Sequence, residues 1–532
     1  MSTTTELVVK ALLGLVAVTV LYRRLDRGRH GKVVLAGLAG VAALAFVNFG
    51  TFHRVRMAHH SELYHYVLGS KYFSELGYDG LYVASLQAQA ENAPDYPWPA
   101  VVRDLRTNRL VHHLGELDDH QREVRARFDE VRWRAFVADH QYFLDHSHPA
   151  YVDAMRADHG YNATPVWTAV ARLFVSWLGV GWGSLLLLTL LDPLLLAVMF
   201  VVLGRTFGFA PAAWALTIFG LAFLSRYHWV GGAFLRHDWL CAAVVGICMI
   251  EKGRPVLAGV ALGYAAAVRI FPALLLFGIA LWLLRRWLRG EERRHAAWLF
   301  AAVVGTLVGA IFLGALAGRG FDSWTEFFDA ITLHRSGWSG NRVGLFTSLV
   351  HSYDFLVRST TAWNEVAGLE AWLARVADFR AHWWPLRALV VVLLLGAVAR
   401  AAWVRGSVES AVLGLVVIYA LTEPASYYWS ILLVTPVIRR RGLTLLVLGY
   451  SALLCLLAAM PHGAVGVYGV ATHGMLAIYV TWLLPDKDAP EQDRSPRERD
   501  EGEPSSPKMA KAPRSGSEAP SALSYSRDRA GK

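Results

Sequence analysis

GRPVLAGVALGYAAAVRIFPALLLF, residues 253–277, is the stretch on which the fold turns. Read as one helix, it takes the chain across a bilayer once. Read as two helices parting near Arg269 and Pro272, it crosses twice. Proline removes a backbone donor and clashes with the carbonyl one turn earlier, so a helix ends or bends there. Charge chooses between the readings. Cytoplasmic loops hold the excess of arginine and lysine, and the basic clusters lie at 23–32, 285–294, 400–405 and 439–441. All four fall on one side only if 256–285 crosses twice, as two short helices. The same reading brings Arg269 to the outer face.

The rest of the chain suits a membrane protein. Its 532 residues are 55% hydrophobic with a mean hydropathy of +0.35, too apolar for a chain that must cover itself with polar surface. Several runs reach the ~20 apolar residues that span ~30 Å of hydrocarbon. The abundant tryptophan and tyrosine suit interfacial belts. A net charge of +10 follows from arginine in cytoplasmic loops and calls for no nucleic acid. Cys241, Cys248 and Cys455 lie inside apolar runs without a paired spacing, so they read as small core residues. Residues 7–21 are apolar apart from Lys10, and Arg23, Arg24 and Arg27 come next with no small-residue cleavage site, which reads as a span rather than a signal.

The expected fold is all-α, a polytopic bundle of about 13 spans with juxtamembrane helices on its outer face. The expected spans are 6–22, 33–50, 183–203, 211–226, 237–251, 255–268, 270–285, 296–318, 384–404, 409–422, 425–438, 443–460 and 465–484. The N-terminus then lies outside and the C-terminus inside. Residues 166–180 are apolar, but Arg172 in their middle and the alternation of sides make them a re-entrant or interfacial helix. The organisation is two N-terminal helices (1–50), a first outer loop (51–182), a transmembrane core (183–318), a second outer loop (319–383), C-terminal helices (384–485) and a tail (486–532). The first loop is polar, with helical periodicity through 122–143. The second carries Trp324, Phe327, Phe328, Trp338, Trp363 and Trp372, as helices in the headgroup layer do. The tail is rich in Pro, Ser, Arg, Glu and Lys, a composition that stays disordered.

Ionisable residues at a membrane edge are functional candidates because burying them without purpose is costly. Here they gather on the outer side. Glu62 heads the first loop within MAHHSELYHY (57–66), beside His59, His60 and His65. With Ser61 as cap it occupies a first helical turn, where the dipole favours a carboxylate. Arg226 and His228 end one span, and Arg236, His237 and Asp238 begin the next. Arg269 stands at the helix break, and Glu423 precedes Pro424. Asp192, before Pro193 and inside a span, has no evident place in this set. One carboxylate with several Arg and His at the outer surface suits a lipid-phosphate donor: the phosphate takes arginine, the tail takes the bilayer and the acceptor hydroxyl takes a base. A metal on the histidines, plain binding of lipid headgroups and a transporter remain alternatives, although the histidine spacing is no established ligand pattern.

The residues also resemble a family. ELYHY from Glu62, followed by GYDGLY (77–82), is similar to the first-loop motif of GT-C class membrane glycosyltransferases, nearest to the bacterial polyprenol-phosphate-mannose-dependent mannosyltransferases. YNATP (161–165), residues 253–277, LTEPASYYWSILLV (421–434) and Gly340-Asn341-Arg342 resemble further elements of that family. The chain departs from it with Glu62 for Asp, Arg269 for Lys, Arg236-His237-Asp238 for Gly-Gln, and Glu423 for Ser. The resemblance implies a GT-C-like fold and an inverting transferase in the bacterial inner membrane, active on the periplasmic face. Its donor would be a polyprenyl-phosphate sugar, a hexose such as mannose or a pentose, and its acceptor a lipid or glycan. It implies Glu62 as catalytic base, Arg269, Arg236 and His237 at the donor phosphate, and Tyr66, Asp238, Asn341, Glu423 and Tyr427 at the substrates, with no metal or cofactor needed. The alternative is a non-catalytic protein that binds or transports polyprenyl lipids on the same scaffold.

Overall fold

Each expected span falls on a helix. The computed structural model describes residues 2–53, 56–291, 293–336, 341–350, 366–460 and 463–484. Among these, seven helices are long and apolar enough to cross a membrane: Thr3–Tyr22, Gly28–Phe46, Trp182–Phe207, Phe271–Leu288, Arg293–Ala315, Trp384–Val404 and Arg441–Ala459. Shorter apolar helices lie between them, including Phe209–Leu221, Pro255–Val268, Ser407–Leu421 and Ser426–Ile438. A 14-residue helix rises only about 21 Å, so these depend on their neighbours. The decisive stretch, 253–277, divides between two helices, Pro255–Val268 and Leu275–Leu288, joined through extended Arg269 and a tight turn at Phe271–Leu274. The expected tail, 486–532, and Trp338 and Trp363 lie outside the described residues.

Small residues let the helices approach, as is usual where lipid supplies no hydrophobic drive between them. A Cβ on Gly278 would lie 1.9 Å from the Ser410 carbonyl oxygen, and one on Gly414 would lie 2.4 Å from the Leu275 Cα. The Leu275–Leu288 helix is thereby seated on Ser407–Leu421. A Cβ on Gly259 would meet the Leu299 carbonyl oxygen at 2.5 Å, and one on Gly263 would meet Thr306 at 2.9 Å, so Pro255–Val268 is seated on Arg293–Ala315.

One pole of the bundle is tied by arginines on carbonyls that helix ends leave open. Arg441 donates to Tyr22 O at 2.6 Å, at the end of the first helix. Arg405 and Arg440 both donate to Trp482 O, at 3.0 and 3.2 Å, near the end of the Gly463–Leu483 helix. Both also hold Glu409, at 3.1 and 2.9 Å. Three segments expected on the cytoplasmic side therefore meet at one end.

Residues 56–182 fold as a packed helical unit with one two-stranded ribbon, Val102–Asp104 against Arg109–Val111. Its expected 122–143 periodicity resolves into two helices, Asp118–Ala126 and Glu130–Asp145, because the Asp129 side chain caps the second by accepting from Val131 N and Arg132 N. The 166–180 stretch forms the short helix Pro165–Val175. Its Arg172 is held by Ser74 Oγ at 2.9 Å and Ala317 O at 2.6 Å, which ties the first loop to the end of the Arg293–Ala315 helix.

Candidate functional site

Glu62 lies in a short helical turn, His60–Leu63, whose cap is not the expected Ser61. The His59 ring takes that part: its Nδ1 accepts from Glu62 N at 3.1 Å, while Nε2 donates to His228 O at 3.1 Å. A histidine with both nitrogens engaged can accept from a backbone N–H as a serine hydroxyl would, and it also fastens the turn to a distant loop. The other two histidines of the stretch likewise have protein partners. His60 pairs with Ser147 Oγ, and His65 joins Ser61 O to the Tyr82 hydroxyl. The helix then widens into a π-turn over Tyr64–Leu68, a local distortion common at functional sites. Four residues after Glu62, Tyr66 reaches the same neighbours. Its hydroxyl donates to Asn162 Oδ1 at 2.7 Å and accepts from Arg236 Nη1 at 3.1 Å.

Arg236 is delivered by a loop stitched to the first one. Tyr227 Oη donates to Met57 O at 2.8 Å, His53 Nε2 to Gly231 O at 2.9 Å, and His59 N to Gly232 O at 2.8 Å. Gly232 has φ +69° and a Cβ there would stand 1.9 Å from Met57 O, so only glycine fits. The next turn passes through Leu235 at φ +48°, pinned by Trp167 Nε1 donating to its carbonyl at 3.1 Å. Asp192 then fastens the two residues beyond it. Its carboxylate accepts from Arg236 N at 2.9 Å, His237 N at 3.2 Å and His237 Nδ1 at 3.1 Å. The carboxylate that the sequence left without a place is thus a positioning group. It sits in the first turn of Leu191–Phe207, where a fresh helix start ahead of Pro193 favours an acid.

So held, the Arg236 guanidinium is 3.3 Å from Glu62 Oε2 and lies over the Tyr427 ring at 4.4 Å, with Tyr66 and Tyr428 also at its faces. Burial lifts the Glu62 carboxyl above its ordinary range, against the pull of Arg236, His65 and Arg269 and with a push from Asp158. Burial likewise pushes the Tyr66 phenol up to about 12.

Arg269 enters from the helix break. It follows Val268 in extended conformation, lies over Trp167 at 6.0 Å and spends Nη1 on the Val268 carbonyl at 3.0 Å. The side chain is buried, and Nε and Nη2 have no hydrogen-bond partner among the described residues. Buried guanidinium donors left open are costly. Asp238 stands close by, accepting from Tyr264 Oη at 3.1 Å, and Trp239, Phe271 and Tyr428 pack together beneath the break.

Comparison with known protein families, curated proteins and solved structures finds no match.

Of the expected residues, Glu62, Tyr66, Arg236, Asp238, Arg269 and Tyr427 come together. Glu423 and Asn341 form a neighbouring group. Asn341 O accepts from Ser426 N at 2.7 Å and Pro424 O accepts from Val343 N at 3.1 Å, a short bridge that brings the second loop against the 421–426 turn. Thr347 Oγ1 donates to Glu423, and burial raises the Glu423 carboxyl against the pull of Arg342, Arg387 and Arg335. His237 is placed differently from expectation. Its ring points to Asp192, between Phe46 and Phe219, and so supports the turn rather than joining the arginines. Asn162, Trp167, Tyr264 and Tyr428 join the site although the sequence did not single them out. The aromatic ones are ordinary members of apolar runs, and only Asn162, in YNATP, carries a polar signal.

Proposed function

We propose that the chain is an integral-membrane inverting glycosyltransferase that moves a sugar from a polyprenyl-phosphate donor to a hydroxyl of a lipid or glycan acceptor. The observation that carries this reading is the meeting of one raised carboxyl, Glu62, with two buried guanidiniums, Arg236 and Arg269, from three distant parts of a membrane helical chain. A carboxylate whose affinity for protons is raised by burial is a stronger base than a solvated one, which suits proton abstraction. Open N–H groups on Arg269 suit an oxyanion that gains charge as it leaves.

In this reaction the acceptor hydroxyl attacks the anomeric carbon from the face opposite the phosphate. Its proton passes to Glu62, the anomeric C–O bond to phosphate breaks, and polyprenyl phosphate departs with the electron pair. Arg269 Nε and Nη2 take the phosphate oxygens. Arg236 holds Glu62 in place and, with Tyr66 and Tyr427, shapes the sugar side of the site; Asp238, Asn341 and Glu423 bind substrate hydroxyls. The resemblance to GT-C transferases supports the same reading, with about 13 spans and the site on the periplasmic face of a bacterial inner membrane. The arginines supply the neutralising charge, so the step needs no metal.

The test is incubation of purified protein with a panel of polyprenyl-phosphate sugars, following release of polyprenyl phosphate, beside Glu62→Gln. The expected result is release by the wild type and a ~10²–10⁴-fold loss in the variant. Donor binding without release, equal in both proteins, would replace the enzyme by a lipid-binding or transport protein. Release unaffected by Glu62→Gln would move the base elsewhere.

A further inference from the structure

Two consecutive helices, Phe271–Leu288 and Arg293–Ala315, part from each other instead of packing as a hairpin. The glycine contacts explain why. Gly278 holds the first against Ser410 on the Ser407–Leu421 helix, while Thr306 and Leu299 hold the second against Gly263 and Gly259 on Pro255–Val268. Each has a different partner, so a wedge opens between them near their shared connection.

The wedge is a cavity of about 380 Å³ lined by Ala280, Leu283, Leu284, Trp287, Ala296, Ala297, Phe300 and Arg293. That volume lies in the range of ligand pockets, ~300–1,000 Å³. All its walls but one residue are apolar, and Leu284, Trp287 and Phe300 are exposed there. The small side chains Ala280 and Ala297 leave the room, and the large ones form its sides.

The mouth is basic. In sequence the connection, 285–294, carries five arginines, Arg285, Arg286, Arg289, Arg293 and Arg294, against two glutamates, and Arg293 lines the cavity itself. Arg293 lies over the Trp287 ring at 5.5 Å and donates to Trp287 O at 3.4 Å; Arg286 lies over Trp282 at 5.1 Å and faces Glu291 at 3.3 Å. Tryptophan with arginine at a membrane edge marks the headgroup level, and a basic pocket between helices on the cytoplasmic side recognises anionic lipid. An apolar slot with cations at one end has the polarity of a single phospholipid: chain in the slot, phosphate at the mouth.

We propose that the wedge is a binding site for an anionic phospholipid of the cytoplasmic leaflet, with an acyl chain between the helices and the phosphate on the 285–294 arginines. It is separate from the Glu62 site and needs no part of the proposed reaction. Occupancy fills the space that the two divergent helices leave and braces the helix that carries the Arg269 break at its other end.

The experiment uses the full-length protein in detergent, loaded with dioleoylphosphatidylglycerol or dioleoylphosphatidylcholine and read by native mass spectrometry of retained lipid. The expected result is preferential retention of the phosphatidylglycerol. Ala297→Trp, which fills the slot, should lower retention, and Arg289→Gln and Arg294→Gln should each lower it by about fivefold, the effect of ~1 kcal/mol per surface cation. Ala280→Phe repeats the slot test from the other wall should Ala297→Trp fail to fold by thermal unfolding. Equal retention of the two lipids would overturn the headgroup assignment. Retention untouched by both slot variants but lost in the arginine variants would reduce the site to surface charge and overturn the slot. Full competition by free glycerol 3-phosphate would show that the chain contributes nothing, and would overturn it as well.

Discussion

Asp192 should govern the site without touching a substrate. Its buried carboxylate accepts from Arg236 N, His237 N and His237 Nδ1 at 2.9 to 3.2 Å. Hydrogen bonds to a charged group contribute ~1.5–3 kcal/mol each, and a buried donor left open costs ~1–3 kcal/mol. Asp192→Asn keeps the shape, but one of its two oxygens becomes an NH2 that meets donors. One acceptor is lost outright and the remaining bonds weaken to neutral strength. The expected destabilisation is roughly 2 to 4 kcal/mol, within the range of broken buried networks.

The consequence should appear at Glu62. Released from Asp192, the 235–237 turn lets the Arg236 guanidinium move off its 3.3 Å approach to Glu62 Oε2. Loss of a nearby cation raises a carboxyl's affinity for protons, so Glu62, already lifted by burial, should rise further. Carbodiimide labels protonated carboxyls, and peptide mass spectrometry across a pH series gives the Glu62 midpoint in wild type and Asp192→Asn. The variant's midpoint should lie higher, and its thermal unfolding temperature lower. An unchanged Glu62 midpoint in a clearly destabilised variant would refute the positioning role and leave Asp192 a structural acceptor only. Unchanged stability would refute the hydrogen-bond account itself.

If the proposed reaction holds, Arg269→Ala should weaken donor binding as well as turnover, because its phosphate contact would be made in both the bound donor and the leaving group; Glu62→Asp should keep part of the activity, and both are read by steady-state kinetics with polyprenyl-phosphate sugars. Reporters fused after Arg254 and after Arg289 should both read cytoplasmic, and one within 337–342 periplasmic; opposite sides for the first two would remove the double crossing of 256–285. Burial lowers the His53 ring to about 4 against an unfolded value of about 6.5, so it stays neutral in the folded protein while the unfolded chain takes up a proton between those values. Stability should therefore be level above about pH 6.5 and decline as pH falls toward 4, by up to about 3 kcal/mol for this residue, a loss that His53→Gln should reduce in pH-dependent unfolding.

The parts of this protein legible in its sequence are those whose cause is local. Apolar length marks the helices, and Pro272 marks the break that Pro255–Val268 and Leu275–Leu288 display. Charge at a membrane edge marks Glu62, Arg236 and Arg269 because its desolvation needs a reason wherever the fold puts it. His59 shows the first limit. Any of Ser61, His60 or His59 could have started the turn, and the choice fell to His59 because its other nitrogen reaches His228 O, a residue 169 positions away.

His237 and Asp192 show the second limit. Adjacent in sequence to Arg236, His237 shares its charge class but not its direction. Adjacent side chains on a turn diverge, and the one that meets Asp192, Phe46 and Phe219 cannot also meet Glu62. Asp192 in turn looked misplaced only because a carboxylate inside an apolar run has no partner within its own helix. Its partners are two backbone N–H groups and a ring nitrogen some forty-five residues on, and such donors leave no trace in composition. Arg269 obeys the same rule. Its break from the helix is written in sequence, but its open Nε and Nη2 result from groups that the surrounding helices do not supply. An arginine whose own fold leaves those donors open is the residue in this site with the most to gain from an anion, and for that reason the proposed reaction puts the phosphate on Arg269 ahead of Arg236, which already has Glu62 and Tyr66.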